Sequence, residues 1–314
     1  MIQSKLCDLL GIEYPVFQGG MAWISDGELA AAVSNGGGLG IIAAGGADAD
    51  YVRCQIRIAA SKTDKPFGVN IMLMSPFADD IAQVVAEEKV SAVTTGAGNP
   101  AKYISAWKAA GIKVIPVVPS VAMAKLVSRL GADAIIAEGG ESGGHIGELS
   151  TMALLPQVCD VTDLPVIAAG GIADGRGMAA AFMLGACGVQ MGTRFLVANE
   201  CNVHLNYKEK VLKATDLSTI TTGKRLGHPV RSIKTPFSRD LFKAEYSAIS
   251  DEALEAMSVG SLAKAARDGD LKNGSFLAGQ IAAMVKTAQP AADIIREVCA
   301  EAEPLLKGAS QWVK

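Results

Sequence analysis

Two segments of this 314-residue chain each end an apolar run in glycine: PVIAAGGIADG, from Pro165 to Gly175, and GVQMGTRF, from Gly188 to Phe195. Each reads as a buried parallel strand running into a turn of bare backbone. N–H groups in such turns, beside a helix start, aim donors at an anion with no side chain in the way. The chemistry implied is phosphate binding, at Ala169, Gly170 and Gly171 in the first turn and at Gln190, Met191, Gly192 and Thr193 in the second. A third segment, GGESGGHIG, follows Glu138 and carries His145 next to Gly144. Histidine is the side chain best matched to proton transfer near neutral pH, so His145 is the candidate catalytic residue.

Other polar residues interrupt apolar strands. Asn70 sits in GVNIM, and its amide can donate to and accept from a planar heterocycle. The Glu138 carboxyl can orient hydroxyl groups or a nearby loop. Both also have a plain structural reading, since any buried polar group needs partners. Gly20 and Met21 end the first apolar run in a QGGM turn, and Gln280 opens an apolar stretch. For Gln280, cofactor contact and a simple helix-terminus contact are equally supported. His204 and His228, the other two histidines, are weaker candidates in a basic segment.

Positioning these residues requires a repeating scaffold, and a period of roughly 20–30 residues of strand, loop and helix recurs. Eight strands are expected: Pro15–Gln18, Gly40–Ala43, Phe67–Met72, Ala92–Thr95, Lys113–Val118, Ala134–Ala137, Pro165–Ala169 and Gly188–Met191. Their runs are apolar without alternation, as for parallel strands buried on both faces. Helices are expected at Asp26–Asn35, Asp79–Glu88, Pro100–Ala110, Ser120–Leu130 and Gly177–Leu184. The fold class is α/β, a (β/α)8 TIM barrel, whose working residues sit at the C-terminal ends of its strands. After Val197 the rhythm breaks. Residues 204–274 read as a small, mostly helical insertion or lid subdomain after strand eight, with pieces at Ser250–Met257 and Val259–Arg267. Residues 1–203 and 275–314 form the barrel, closed by helices at Gly274–Lys286 and Ala291–Leu306.

Composition narrows the function classes. No run of eighteen or more apolar residues and no cleavable leader are present, which predicts a cytoplasmic protein without a membrane span. The six cysteines form no C-x-x-C pair and none has zinc-ligand spacing to a histidine, so no metal site is expected. A net charge of −3 argues against nucleic-acid binding. Charge is uneven, however. Residues 204–243 carry nine basic residues against three acids. This run is either a solvated face or a docking face for an acidic partner. No GxGxxG fingerprint stands in a βαβ context, and there is no Walker A loop, G-x-S-x-G elbow or H-E-x-x-H motif.

QGGMAW, GGGLGII, KPFGVNIMLMSPF, TTGAGNP, VIPVVPS, AEGGESGGHIG, PVIAAGGIADG and QMGTRF together resemble the type II, FMN-containing enoyl-acyl carrier protein reductases of bacterial fatty-acid synthesis, within the nitronate monooxygenase-like superfamily. The resemblance runs nearly end to end and includes NYKEK, GHPVRSIK and AGQIAAMV. It implies bound FMN, with its phosphate on Gly170, Gly171, Gly192 and Thr193 and its ring over Gly20 and Met21 near Asn70. It also implies NADH or NADPH as hydride donor, an enoyl chain carried on acyl carrier protein as substrate, and a homodimer. Some members of the family need a monovalent cation. The same superfamily supplies the principal alternative, a nitronate monooxygenase that passes electrons to oxygen, in which the equivalent histidine is a base. A non-redox phosphate-binding barrel, such as a sugar-phosphate isomerase, is a more distant alternative, as is a flavin-binding module without turnover.

Overall fold

The computed structural model describes residues 2–312. Eight parallel strands build the barrel: β1 (Val16–Gln18), β2 (Gly40–Ala43), β3 (Phe67–Met72), β4 (Ala92–Gly96), β5 (Lys113–Val118), β6 (Ile135–Glu138), β8 (Val166–Ala169) and β9 (Gly188–Met191). The label β7 belongs to Gly144–His145, a two-residue strand outside the barrel. The sheet runs β1-β9-β8-β6-β5-β4-β3-β2, and an isolated parallel bridge from Phe17 to Leu39 brings its two edges together. A side chain helps at this seam. The fully buried Gln18 amide accepts from the Ile41 N–H (3.2 Å) and donates to the Ile41 carbonyl (3.3 Å), standing in for a ladder that three-residue β1 is too short to complete.

The barrel helices are α2 (Gly27–Asn35), α3 (Ala49–Lys62), α4 (Ala78–Glu87), α5 (Ala101–Ala109), α6 (Val121–Arg129), α7 (Thr151–Cys159), α8 (Gly175–Met183) and α13 (Ala291–Lys307), preceded by α1 (Lys5–Leu10). Asp26, Asp48 and Ser120 cap α2, α3 and α6, each accepting from a backbone N–H three residues on; α3 is not among the helices expected from sequence. Helix α1 plugs the barrel floor. Its Leu6 and Leu10 join one apolar cluster with Phe17, Ile41, Ile115, Ile136 and Ile167 from the strands. With the floor filled, the C-terminal rim is the end left open to a ligand.

Between β9 and α13 lie α9 (Leu205–Leu212), β10 (Thr219–Thr222), β11 (Val230–Ile233), α10 (Pro236–Glu245), α11 (Asp251–Ser258) and the short α12 (Ser261–Ala263), which passes into a π-helical turn at Lys264–Asp268. The segment is mainly helical, as expected, but it also holds an antiparallel hairpin. β10 pairs with β11, and β11 pairs with β7, so a three-stranded sheet stands at the barrel's rim. The helix expected over Gly274–Lys286 is not formed. Instead the Phe276 carbonyl accepts from Ile233 N–H (2.7 Å), Leu277 bridges to Ser232, and only Gln280–Met284 coil into a 3-10 turn. The backbone here extends the β11 edge rather than bonding to itself.

One contact illustrates how tightly helix and strand are set. A Cβ on Gly40 would fall 1.9 Å from the Ala30 carbonyl oxygen, so α2 rests directly on β2. Gly40→Ala is therefore expected to lower unfolding stability by about 2–3 kcal/mol. Gly96→Ala, where a Cβ meets nothing within 4 Å, should stay within about 0.5 kcal/mol of the parent. Urea midpoints for the two variants make the comparison, and equal losses would contradict this account of the α2–β2 contact.

Candidate functional site

The rim surrounds a cavity of about 900 Å³. Gly20, Met21, Asn70, Glu138, Gly144, His145, Ala169, Gly170, Gly171, Gln190, Met191, Gly192 and Thr193 all line it, so the structure gathers twelve of the thirteen cofactor candidates around the candidate histidine. The thirteenth, Gln280, does not join them. Its side chain is exposed outside the lining, and its N–H is bonded to the Glu141 carbonyl (2.9 Å).

Backbone approach explains the glycines. Gly170 adopts φ +86°, and a Cβ there would lie 2.6 Å from the Gly139 carbonyl oxygen. The turns after β6 and β8 therefore touch main chain to main chain. Among the described residues, the N–H groups of Gly171, Gly192 and Thr193 donate to no backbone or side-chain acceptor, although each lies in a cavity-lining turn. Three such donors at two neighbouring strand ends make a cradle suited to a phosphate. The Thr193 hydroxyl accepts from Gly279 N–H (2.9 Å), which fixes its rotamer and leaves its proton free to donate.

At the other side of the cavity, Gly20 packs on Asn70, where an added Cβ would come within 2.4 Å of the Asn70 Cβ. Asn70 donates from Nδ2 to Thr94 Oγ1 (2.8 Å), which leaves its carbonyl oxygen as an acceptor toward the cavity. The Gly20–Met21 turn is held in turn by Ser25, whose Oγ accepts from Met21 N–H (3.0 Å) and from Gln18 Nε2 (2.8 Å). Gln18 thus closes the barrel and fixes the turn, a double role that sequence alone does not display.

Glu138 ends β6 with no cation beside it. Burial pushes its carboxyl up to about 7. The Ser142 hydroxyl lies on the same side and pulls weakly the other way, yet makes no hydrogen bond of good geometry. Near neutrality Glu138 is therefore partly protonated and able to donate as well as accept, which suits a carboxyl next to an anion cradle.

His145 does not ride on a mobile glycine loop. It lies in β7, in register with Val230 of β11, and the adjacent Ile146 N–H donates to the Pro229 carbonyl (3.0 Å). Its ring is open to the cavity's solvent but flanked by protein. Burial first, and then the charge of nearby His228, hold its pKa below the ordinary value, so the ring is neutral at physiological pH. His228 lines the same cavity, which sequence spacing could not reveal because 83 residues of chain separate the two histidines and only the β7–β11 pairing joins them. His204, by contrast, is structural: its Nδ1 caps α9 by accepting from Asn206 N–H (3.1 Å).

The segment after β9 supplies an apolar wall, including Leu226, Val230, Phe237, Leu241, Leu254 and Leu262. The cavity thus combines bare backbone at the strand tips with a hydrocarbon surface, a lining suited to a ligand with both polar and apolar parts.

An eight-stranded barrel with free N–H groups and an imidazole gathered at its strand tips has the layout of an α/β-barrel enzyme. The nitronate monooxygenase family model matches residues 3–88 and 77–301, and the chain belongs to this family of oxidoreductases. Among solved structures it is similar to FabK from Thermotoga maritima, with 51% identity, a TM-score of 0.97 and full coverage of both chains. Among curated proteins it is similar to (3aS,4S,5R,7aS)-5-hydroxy-7a-methyl-1-oxo-octahydro-1H-indene-4-carboxyl-CoA dehydrogenase of Rhodococcus jostii strain RHA1, 40% identical over 76% of this chain and 68% of that one. It is also similar to a probable nitronate monooxygenase of Staphylococcus saprophyticus, 34% identical over 75% of this chain and 80% of that one. Among the described residues, no helix is long and apolar enough to cross a membrane.

The raised Glu138 carboxyl carries a stability signature. A group that holds its proton more tightly when folded destabilises the fold as pH rises from the unfolded value, about 4.3, through its folded value of about 7. Glu138→Gln removes this dependence. The melting temperature of the parent should therefore fall relative to the variant between about pH 5 and about pH 8. Parallel melting profiles across that range would show that burial does not shift Glu138.

Proposed function

We propose that this protein reduces the carbon–carbon double bond of a trans-2-enoyl thioester, carried on acyl carrier protein, with NADH or NADPH as reductant and bound FMN as the redox cofactor. The observation that carries the reading is His145, held over a cavity that combines a glycine cradle with an apolar wall. The full-length similarity to FabK supports it. In the net reaction NAD(P)H and a proton are consumed, the β-carbon gains hydride and the α-carbon gains the proton.

The residues present fit FMN. The free N–H groups of Gly171, Gly192 and Thr193, with Gly170 letting the turn close, would hold its phosphate. The Gly20–Met21 backbone and the Asn70 carbonyl would receive its ring, and Gln190 and protonated Glu138 offer further polar contacts. When bound, FMN supplies the hydride chemistry that no side chain can. His145 supplies charge stabilisation. As negative charge develops on the thioester oxygen, a fixed neutral N–H donor lowers the barrier without the cost of reorganising solvent. The apolar wall aligns the acyl chain and excludes water, which strengthens that hydrogen bond.

A second reading has a specific observation behind it. A neutral His145 is also suited to act as a base, as a nitronate monooxygenase would require, and the family model and the staphylococcal relative bear that name. The flavin's electron donor separates the two. With the purified holoprotein held without oxygen, NADH should bleach the flavin absorbance and crotonyl thioester should restore it. Bleaching by an alkyl nitronate but by neither nicotinamide would establish the monooxygenase instead. In the reductase, His145→Ala should lower kcat by about 100-fold with flavin content unchanged. Undiminished turnover in that variant would remove His145 from the mechanism.

A further inference from the structure

The nine basic residues of segment 204–243 are not equivalent in the folded chain. Lys208 is partly buried and donates to the Ala198 carbonyl (2.7 Å). Arg225 binds Asp251 (2.8 Å) and the Ile249 carbonyl (2.7 Å), and Arg231 donates to the Gly140 carbonyl (2.9 Å). These three hold the fold together. Among the described residues, Lys210, Lys234 and Arg239 have no acid partner, and all three line one surface groove of about 590 Å³. Lys213 lines it too, paired with Glu209 one turn earlier (2.7 Å). The exposed apolar side chains of Leu217 and Leu271 complete the groove.

We propose that this groove, between α9, the far end of the β10–β11 hairpin and α10, docks an acidic protein that delivers the thioester substrate. The proposal rests on the thioester-reductase reading. Two observations point to it. First, the unpaired cations come from three different elements, yet converge on one concave face in a chain whose net charge is −3. A row of cations flanked by two leucines complements a helix with an acidic stripe and an apolar edge. Second, the hairpin joins groove to cavity. Ser218, Ile233 and Lys234 line the groove, whereas Thr222 and Val230, at the other end of the same two strands, line the cavity. Three strand residues separate the two ends, about 10 Å. A substrate tethered to the docked protein by a flexible arm longer than that reaches His145, which is in register with Val230.

The test uses the holoprotein and the double charge reversal Lys210→Glu with Arg239→Glu. Direct binding of fluorescently labelled acyl carrier protein, followed by anisotropy, needs no turnover, and should weaken about tenfold or more. In kinetics, KM for crotonyl-carrier protein should rise by a similar factor. KM for crotonyl-CoA and for crotonyl-N-acetylcysteamine should stay within twofold, because neither reaches the groove. Unchanged carrier-protein binding would overturn the proposal. Equal weakening of the CoA ester would overturn it too, since the cations would then be reading phosphates on the arm. So would a change in oligomeric state in the variant, which would make the groove a contact between copies. Failure of the parent to reduce any of the three thioesters would instead reject the reductase reading, while the anisotropy arm would still decide the groove.

Discussion

The arrangement of this protein depends on one small piece of sheet, the pairing of Gly144–His145 with Val230–Arg231. The loop after β6 is rich in glycine, and glycine loses the most conformational entropy when ordered. Local bonds hold its start, Ser142 N–H to the Gly139 carbonyl (3.2 Å) and Gly140 N–H to the Leu149 carbonyl (2.7 Å), but not the Gly143–His145 stretch. The β11 edge provides what the loop lacks, a ladder on one side, backed by the Arg231 guanidinium on the Gly140 carbonyl and by Glu141, whose carboxylate accepts from the Thr151 N–H at the start of α7 (2.9 and 3.0 Å). One set of contacts therefore fixes the backbone of His145, seats the α7 terminus and attaches the post-barrel segment to the rim. Gly143 and Gly279 allow the extended 274–279 stretch to pass alongside, since a Cβ on Gly143 would lie 2.6 Å from the Ala278 carbonyl carbon.

How much of this is legible in sequence follows from which interactions are local. All eight barrel strands lie within a residue of where their apolar runs suggest, because a strand buried on both faces writes its own boundaries. Helices that begin at a capping residue and end at glycine are equally readable. α3, α7 and α9 do not end at glycine, and α7 even contains Pro156, so their extents are harder to read although Asp48 caps α3. The hairpin is the instructive omission. β10 and β11 are polar, four residues each, and joined by a turn of seven, so neither alternation nor a short loop announces them. Their strand character comes from each other and from β7 and Leu277, which lie far away in the chain and pair in succession along the outer edge of β11. The site divides the same way. Residues at strand tips could be read off the barrel's logic, whereas the places of Gln18 and His228 depend on contacts that no spacing encodes.

The cavity handles charge by burial and backbone rather than by ion pairs. The free N–H groups at the strand tips are neutral, burial raises the Glu138 carboxyl to about 7, and burial and His228 lower the pKa of His145. Fixed charges are instead spent on structure, in pairs such as Arg53 with Glu87 and Glu88, or left on the surface groove. The carboxyls of Glu141 and Glu255 also line the cavity, and Glu141 is held there by the Thr151 N–H and hydroxyl. Asn70, Gln190 and Glu138 are the polar side chains that the barrel strands present to this cavity. The hydrocarbon surface that the segment between β9 and α13 adds to this lining is the part of the cavity that gains most when an apolar ligand displaces water.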